Sequence, residues 1–172
     1  MSTFEWFASL VLAATIVPAL PAEPHCPGNV ASVPLHLINS HQMIAAVSVN
    51  QTGPYNFLLD TGTQITMIDP SLAVELHLKT QSRAEVVGVG FRSAASLAEL
   101  DSMEAGSQAV GKLLVVVKAL EHLQPSGLPI RGILGEDFLA RFDVLIDNAH
   151  HLLCLDDTKT LQATVKESIS RW

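Results

Sequence analysis

Asp60 closes the apolar run Phe57-Leu58-Leu59 and is followed by Thr61-Gly62-Thr63. A carboxylate is costly to bury without donors around it, and two hydroxyls and a glycine amide directly after it can supply them. A carboxylate held in this way suits general acid–base work. It takes a proton from water while a second, protonated carboxyl group gives one to the group under attack. The plainer reading of the same residues is a turn aspartate that caps its own loop. A second stretch, Ile133-Leu134-Gly135, sets an apolar pair and a glycine directly before the helical segment EDFLARF. Neither Glu136-Asp137 nor Asp147-Asn148 repeats the strand-and-glycine context of Asp60. The seven histidines show no metal-ligand spacing, and His150-His151 are adjacent, so a strand would send them to opposite faces. They read as surface residues, and neither a metal nor a cofactor is expected.

The elements that must position Asp60 read as a β-meander. VPLHLI (33–38), MIAAVSV (43–49) and YNFLLD (55–60) are short apolar runs separated by the turn segments NSHQ and NQTGP. ITMI (65–68) predicts a further short strand. Asp69-Pro70 then offers a helix N-cap with proline in the first turn, so SLAVELHL predicts a helix of about two turns. AEVVGVGFRSAASLAEL (84–100) predicts two strands about a tip at Gly88, Val89 and Gly90, where glycine lets a hairpin bend. KLLVVVKAL (112–120) predicts a buried strand, EHLQPSGLP a loop, and DVLIDNAHHLLCL a hairpin turning at Asn148 to His150. In the polar tail, Leu161, Val165 and Ile169 recur at helical spacing, as a weak helix or a disordered end would have them.

With 172 residues, nearly half of them apolar, the chain can build one domain with a real core. Valine, leucine and isoleucine dominate, aromatics are few, and glycine and proline recur between short runs, so the fold class is mostly β with one or two short helices. A net charge of −7 without any cluster of lysine or arginine argues against the phosphate backbone of nucleic acid as a partner. Residues 1–22 read as a signal peptide, because Phe7 to Val17 is apolar, too short to span a bilayer, and followed by VPALPAE with cleavage after Ala22 or Ala19. Glu5, in a leading region without lysine or arginine, leaves an uncleaved anchor as the other reading, and with it attachment to a membrane. Residues 23–32 then read as a linker, 33–157 as the folded domain and 158–172 as a C-terminal tail. An exported chain, periplasmic or secreted, can pair Cys26 with Cys154; alternatively Cys154, in the run LLCL, is a small buried side chain.

From about Val33 to Leu155, the order of elements and the two motifs Asp60-Thr61-Gly62 and Ile133-Leu134-Gly135 resemble the retropepsin-like aspartic peptidases, particularly their single-domain cellular and bacterial members. The resemblance implies a closed acid-protease β-barrel that assembles as a homodimer, and an aspartic endopeptidase acting on peptides or proteins. It makes Asp60 the catalytic carboxylate, Thr61 the residue whose hydroxyl grips the partner chain's loop, and Gly62 the close-packed backbone donor to the carboxylate. Thr63 would bond the same group; family members usually carry alanine or serine there, and threonine keeps the hydroxyl. Gly88, Val89 and Gly90 correspond to the tip of the flap over the substrate, though an ordinary hairpin tip would look the same. Ile133, Leu134 and Gly135 correspond to the motif that supports the catalytic loop from behind.

Such chemistry needs two acids. Carboxyl groups about 3 Å apart cannot both ionise, so one keeps a proton while the other acts as base. One Asp-Thr-Gly per chain implies that the second acid comes from another copy, with both Asp60 side chains on a twofold axis. Two other classes stand beside this one. A retropepsin-fold module that dimerises or binds peptide without cleaving it is opposed by the intact Asp-Thr-Gly. A two-carboxylate glycosidase would need an aromatic sugar platform, and one tyrosine with two terminal tryptophans does not offer it.

Overall fold

The computed structural model describes residues 24–28, 30–39, 41–88, 91–123 and 127–169. The signal-peptide or anchor segment 1–22 and the tip residues Val89 and Gly90 lie outside the described residues. Along β1 (Ala31–Ile38), Ala31, Val33 and Leu35 are buried while Pro34 and His36 are exposed, the period of two that seats a strand on a core. β2 (Gln42–Val49) and β3 (Thr52–Leu59) follow as antiparallel neighbours. Their turn at Asn50-Gln51 has both residues in the left-handed region, and the Asn50 side chain accepts the amides of Asp101 and Ser102.

After the loop that starts at Asp60, β4 (Met67–Ile68) leads into α1 (Pro70–Glu75). Asp69 caps this helix by accepting the Ser71 amide at 2.9 Å, as the sequence predicts. The helix is shorter than the periodicity of SLAVELHL suggests, because His77 turns left-handed at φ 54° and breaks it. β5 (Thr80–Gly88) and β6 (Phe91–Ala105) form the expected hairpin, with Gly88 opposite Phe91 at its end. Strand β6 runs on past Leu100, turns at Gly106 (φ +60°) and returns as β7 (Gln108–Val117). β8 (Gly132–Leu134), α2 (Glu136–Leu139), the hairpin of β9 (Asp143–Asp147) and β10 (Leu152–Asp156), and α3 (Thr160–Ile169) complete the order.

The strands pair in the order β5-β6-β7-β4-β8-β3-β2-β1-β10-β9. Strand β8 lies between β3, to which it is parallel, and β4, to which it is antiparallel. The far end of β6 also pairs with β2, Val47 opposite Ala105, so backbone bonding runs round β2, β3, β8, β4, β7 and β6 and back to β2. Inside sit Phe57, Ile68, Leu72, Leu100, Leu134 and Phe138, all fully buried.

Strand β10 is buried on both faces. Leu153 and Leu155 join the main core, whereas Leu152 and Cys154 face a satellite cluster with Cys26, Val30 and Leu161 of α3. The tail is therefore a docked helix rather than a disordered end. Cys26 and Cys154 are joined by a disulfide inside this cluster. Among the described residues no helix is long and apolar enough to cross a membrane.

Candidate active site

Asp60 directly follows the last residue of β3, and its amide still donates across to the end of the neighbouring strand, to the Leu134 carbonyl at 3.2 Å. The chain then reverses over Thr61 and Gly62, and the Thr63 amide closes the turn on the Asp60 carbonyl at 3.3 Å. This reversal brings two donors onto the carboxylate. The Gly62 amide reaches Oδ1 at 2.8 Å and the Thr63 hydroxyl reaches Oδ2 at 2.7 Å. Each oxygen has one protein donor and keeps capacity to accept or share another proton.

Asp60 is partly exposed, and Thr61 and Gly62 are exposed. The apolar flank thus dries one side of the carboxylate only: Leu59 behind it is buried, while the loop in front is open within a single chain. Gly62 earns its place by proximity, since a Cβ there would meet Asp60 Oδ1 at 3.2 Å.

Ile133, Leu134 and Gly135 lie directly behind this loop, all buried. Leu134 pairs with Leu59, and the Glu136 amide donates to the Thr63 carbonyl at 2.8 Å. No side chain fits at Gly135, where a Cβ would lie 2.8 Å from the Thr63 carbonyl oxygen and 2.9 Å from the Thr66 nitrogen. The structure therefore brings Asp60, Thr61, Gly62, Thr63, Ile133, Leu134 and Gly135 into one cluster. It places Gly88 at the end of β5, on a different hairpin.

Several residues at the site are ones that the sequence did not single out. Thr66 is fully buried, and its hydroxyl accepts the Gly135 amide at 3.1 Å and donates to Asp137 Oδ1 at 2.6 Å. Gly132 lies against the ring of Phe57, where a Cβ would fall 2.1 Å from Cε1. Arg131, directly before β8, bonds Glu75 of α1 at 2.7 Å and lies over the Tyr55 ring, while the Tyr55 hydroxyl donates to the same carboxylate at 2.8 Å. Hydrogen bonds from Arg131 and then Tyr55 hold the Glu75 carboxyl below its ordinary pKa, and burial together with Glu75 raises Tyr55. This clamp fastens α1 to β3. Each of these contacts joins residues far apart in the chain, so local spacing does not select the partners.

Asp147 is committed to the β9–β10 turn. Its Oδ1 accepts the amides of Ala149 and His150, and its Oδ2 lies 2.7 Å from His150 Nδ1. A groove between β9 and α3, lined by Asp143, Val144, Leu145, Leu161 and Val165, includes none of the residues around Asp60.

The chain belongs to the aspartyl protease family, whose model matches residues 45–138, the span from β2 through the Asp60 loop to α2. No curated protein matches it. Among solved structures, a retropepsin-like aspartic protease from Rickettsia conorii shares 21% identity over 74% of this chain and 90% of its own, with a TM-score of 0.51. This likeness establishes a retropepsin-like fold. The retroviral protease-like domain of Ddi1 from Leishmania major aligns over 74% of this chain and 89% of its own at 18% identity and a TM-score of 0.44. The EIAV protease, in complex with an inhibitor, aligns over 61% of this chain and 92% of its own at 21% identity and a TM-score of 0.40.

Proposed function

We propose that this protein is an aspartic endopeptidase whose active site forms when two chains bring their Asp60 carboxylates together in a homodimer. The observation that carries the reading is the bonding of Asp60: Gly62 and Thr63 hold one oxygen each, at 2.8 and 2.7 Å, at the end of a strand within the span that the family model matches. In the mechanism, one Asp60 takes a proton from a water as the water oxygen bonds to the scissile carbonyl carbon. Its protonated counterpart gives a proton to the carbonyl oxygen, and the C–N bond then breaks as the leaving nitrogen takes up a proton. Oriented donors leave the carboxylates free for these transfers while fixing their direction.

The circuit of strands supports a closed barrel, and the β5–β6 hairpin, ending at Gly88, supports a flap over bound peptide. Thr61, exposed beside Asp60, is available to the partner's loop. The Cys26–Cys154 disulfide supports export to an oxidising compartment, with residues 1–22 as the signal peptide or anchor.

The test is peptide cleavage by the purified protein, with inhibition by a statine-type transition-state analogue and indifference to chelators and serine reagents. Asp60→Asn keeps the size of the side chain and removes the shared proton, so cleavage is expected to disappear while fold and dimer persist. Wild-type rates in Asp60→Asn would overturn the assignment.

A further inference from the structure

We infer that Asp137 is a positioning residue for Asp60, a reading that rests on the peptidase function proposed above. The loop that leaves β3 at Asp60 and enters β4 at Met67 is tied along its length to residues 134–137. Leu134 takes the Asp60 amide, Thr63 takes the Glu136 amide, and Gln64 takes the Asp137 amide at 3.2 Å. All of these are backbone bonds. The last tie is made by a side chain: Asp137 Oδ1 accepts the Thr66 amide at 2.9 Å and the Thr66 hydroxyl at 2.6 Å.

The same oxygen does two further jobs. It accepts the Phe138 amide at 2.9 Å, in the first turn of α2, where Gly135 provides no side-chain cap. Through Thr66 it also reaches Gly135, whose amide donates to the Thr66 hydroxyl at 3.1 Å. One atom thus fixes the end of the catalytic loop and the start of the helix behind it. Thr66 is fully buried, so water does not compete for these bonds.

The second oxygen, Oδ2, is buried without a partner. An acceptor removed from water and left unpaired costs about as much as a hydrogen bond contributes. The unpaired oxygen offsets part of what the three bonds to Oδ1 contribute, and those bonds secure one position of Thr66 relative to α2. That position sets the loop on which Asp60, Gly62 and Thr63 sit. A displacement of about 1 Å at reacting groups costs roughly a hundredfold in rate.

The experiment compares Asp137→Ala, Asp137→Asn, Thr66→Val and Thr66→Ser for kcat and KM, per active site titrated with a tight statine-type inhibitor, alongside thermal midpoints. Thr66→Val and Asp137→Ala are expected to lower kcat by roughly 30- to 100-fold with KM within about threefold. Asp137→Asn keeps an acceptor oxygen and is expected to fall by about tenfold or less, and Thr66→Ser, which keeps the hydroxyl, to restore kcat to within about threefold. Thr66→Val combined with Asp137→Ala should be no slower than the slower single, since both residues act as one unit. If Asp137→Ala does not fold, the Thr66→Val and Thr66→Ser pair carries the same comparison. A kcat per titrated site within about threefold of wild type in Thr66→Val and in every folded Asp137 variant, whatever the loss in thermal midpoint, overturns the positioning role alone. Absence of cleavage by the wild type, or its persistence in Asp60→Asn, overturns the peptidase reading and this inference with it.

Discussion

The amide of Asp60 donates to the carbonyl of Leu134 at 3.2 Å, so the two motifs of this chain meet in a single hydrogen bond. Strand β8 enters the sheet beside β3 with Leu134 level with Leu59, and ends where β3 ends. Both strands then lead away from the sheet, one into the Asp60 loop and the other into α2. The glycine at that point, Gly135, lets the loop backbone lie directly on the strand end.

This contact predicts that Gly135→Ala and Gly132→Ala damage the protein in different ways. At Gly135 the added methyl meets backbone atoms of Thr63 and Thr66, which can move only by shifting the loop that carries Asp60. Activity should therefore fall further than the loss of stability, expected at about 1–3 kcal/mol, explains. At Gly132 the methyl would overlap the fully buried Phe57 ring at 2.1 Å, deep in the core. Here stability should fall by about 3 kcal/mol or more, with residual activity tracking the folded fraction. Urea unfolding followed beside peptide cleavage separates the two, and a Gly132→Ala protein within about 0.5 kcal/mol of wild type would contradict the packing described.

The bonding of the Asp60 loop was legible in the sequence because it is local. Asp60, Gly62 and Thr63 bond one another within three residues, and an apolar run ending in Asp-Thr-Gly announces them. The supporting residues were not legible, because each depends on a partner far along the chain. Thr66 and Asp137 are 71 positions apart, and nothing in either neighbourhood names the other. Gly132 matters only through the ring of Phe57. The second half of β6, rich in alanine, serine and glutamate, has weak strand propensity; pairing with β2 and β7 imposes the extended form. The docked tail was ambiguous for a similar reason, since a short polar helix gains order only through a distant contact, here Leu161 against Leu152 and Cys154 of β10.

The disulfide closes a loop of 128 positions, enough that restricting the unfolded chain is worth about 3–5 kcal/mol. Cys26→Ser with Cys154→Ser is therefore expected to lower the free energy of unfolding by that order. The loss should appear first as exchange of the β10 and α3 amides, because Cys154 and Leu161 share the satellite cluster. Hydrogen exchange read by mass spectrometry checks this. Uniform loss of protection across all strands would instead mean that the cluster is no separate unit.

Two of the less exposed carboxyl groups, Asp69 and Asp156, contribute to the acid limit of the fold. Burial pushes Asp69 up, but the hydroxyl and amide of Ser71, the Leu120 amide and the Arg131 charge outweigh it and hold the group below its ordinary pKa. Asp156 is opposed by burial and likewise held low, by the Thr158 hydroxyl and the amides of Leu161, Thr158 and Thr160. A carboxyl whose pKa is lowered in the folded state stabilises the protein above the unfolded value of about 3.9, and that stabilisation is lost as pH falls through the folded value. Unfolding free energy should thus hold near neutrality and fall with acid below about pH 4. Asp69→Asn and Asp156→Asn should each flatten this acid arm, and an unchanged slope in either variant would exclude that group as a contributor.

The last prediction concerns assembly. Each chain carries one Asp-Thr-Gly, and division of labour between acid and base needs two carboxyl groups within reach of one peptide bond. Asp137 cannot be the second, because its one bonded oxygen is spent on Thr66 and Phe138 and its other is buried; Asp147 is held in the β9–β10 turn by His150 and two amides. In the proposed dimer the partly exposed Asp60, with Thr61 and Gly62 exposed beside it, would be half of a site that a second copy completes. Active sites form in proportion to dimer, so specific activity is expected to fall on dilution once the concentration drops below the dimer dissociation constant. Adding Asp60→Asn chains in excess should suppress activity further, because most wild-type chains would then sit opposite a subunit that lacks the acid. The mixing curve discriminates between assemblies: inhibition should follow the statistical loss of wild-type pairs, whereas inert added chains would leave the rate constant. Sedimentation as a monomer with undiminished activity at every dilution would remove the homodimer and move the search for the second acid back into the chain.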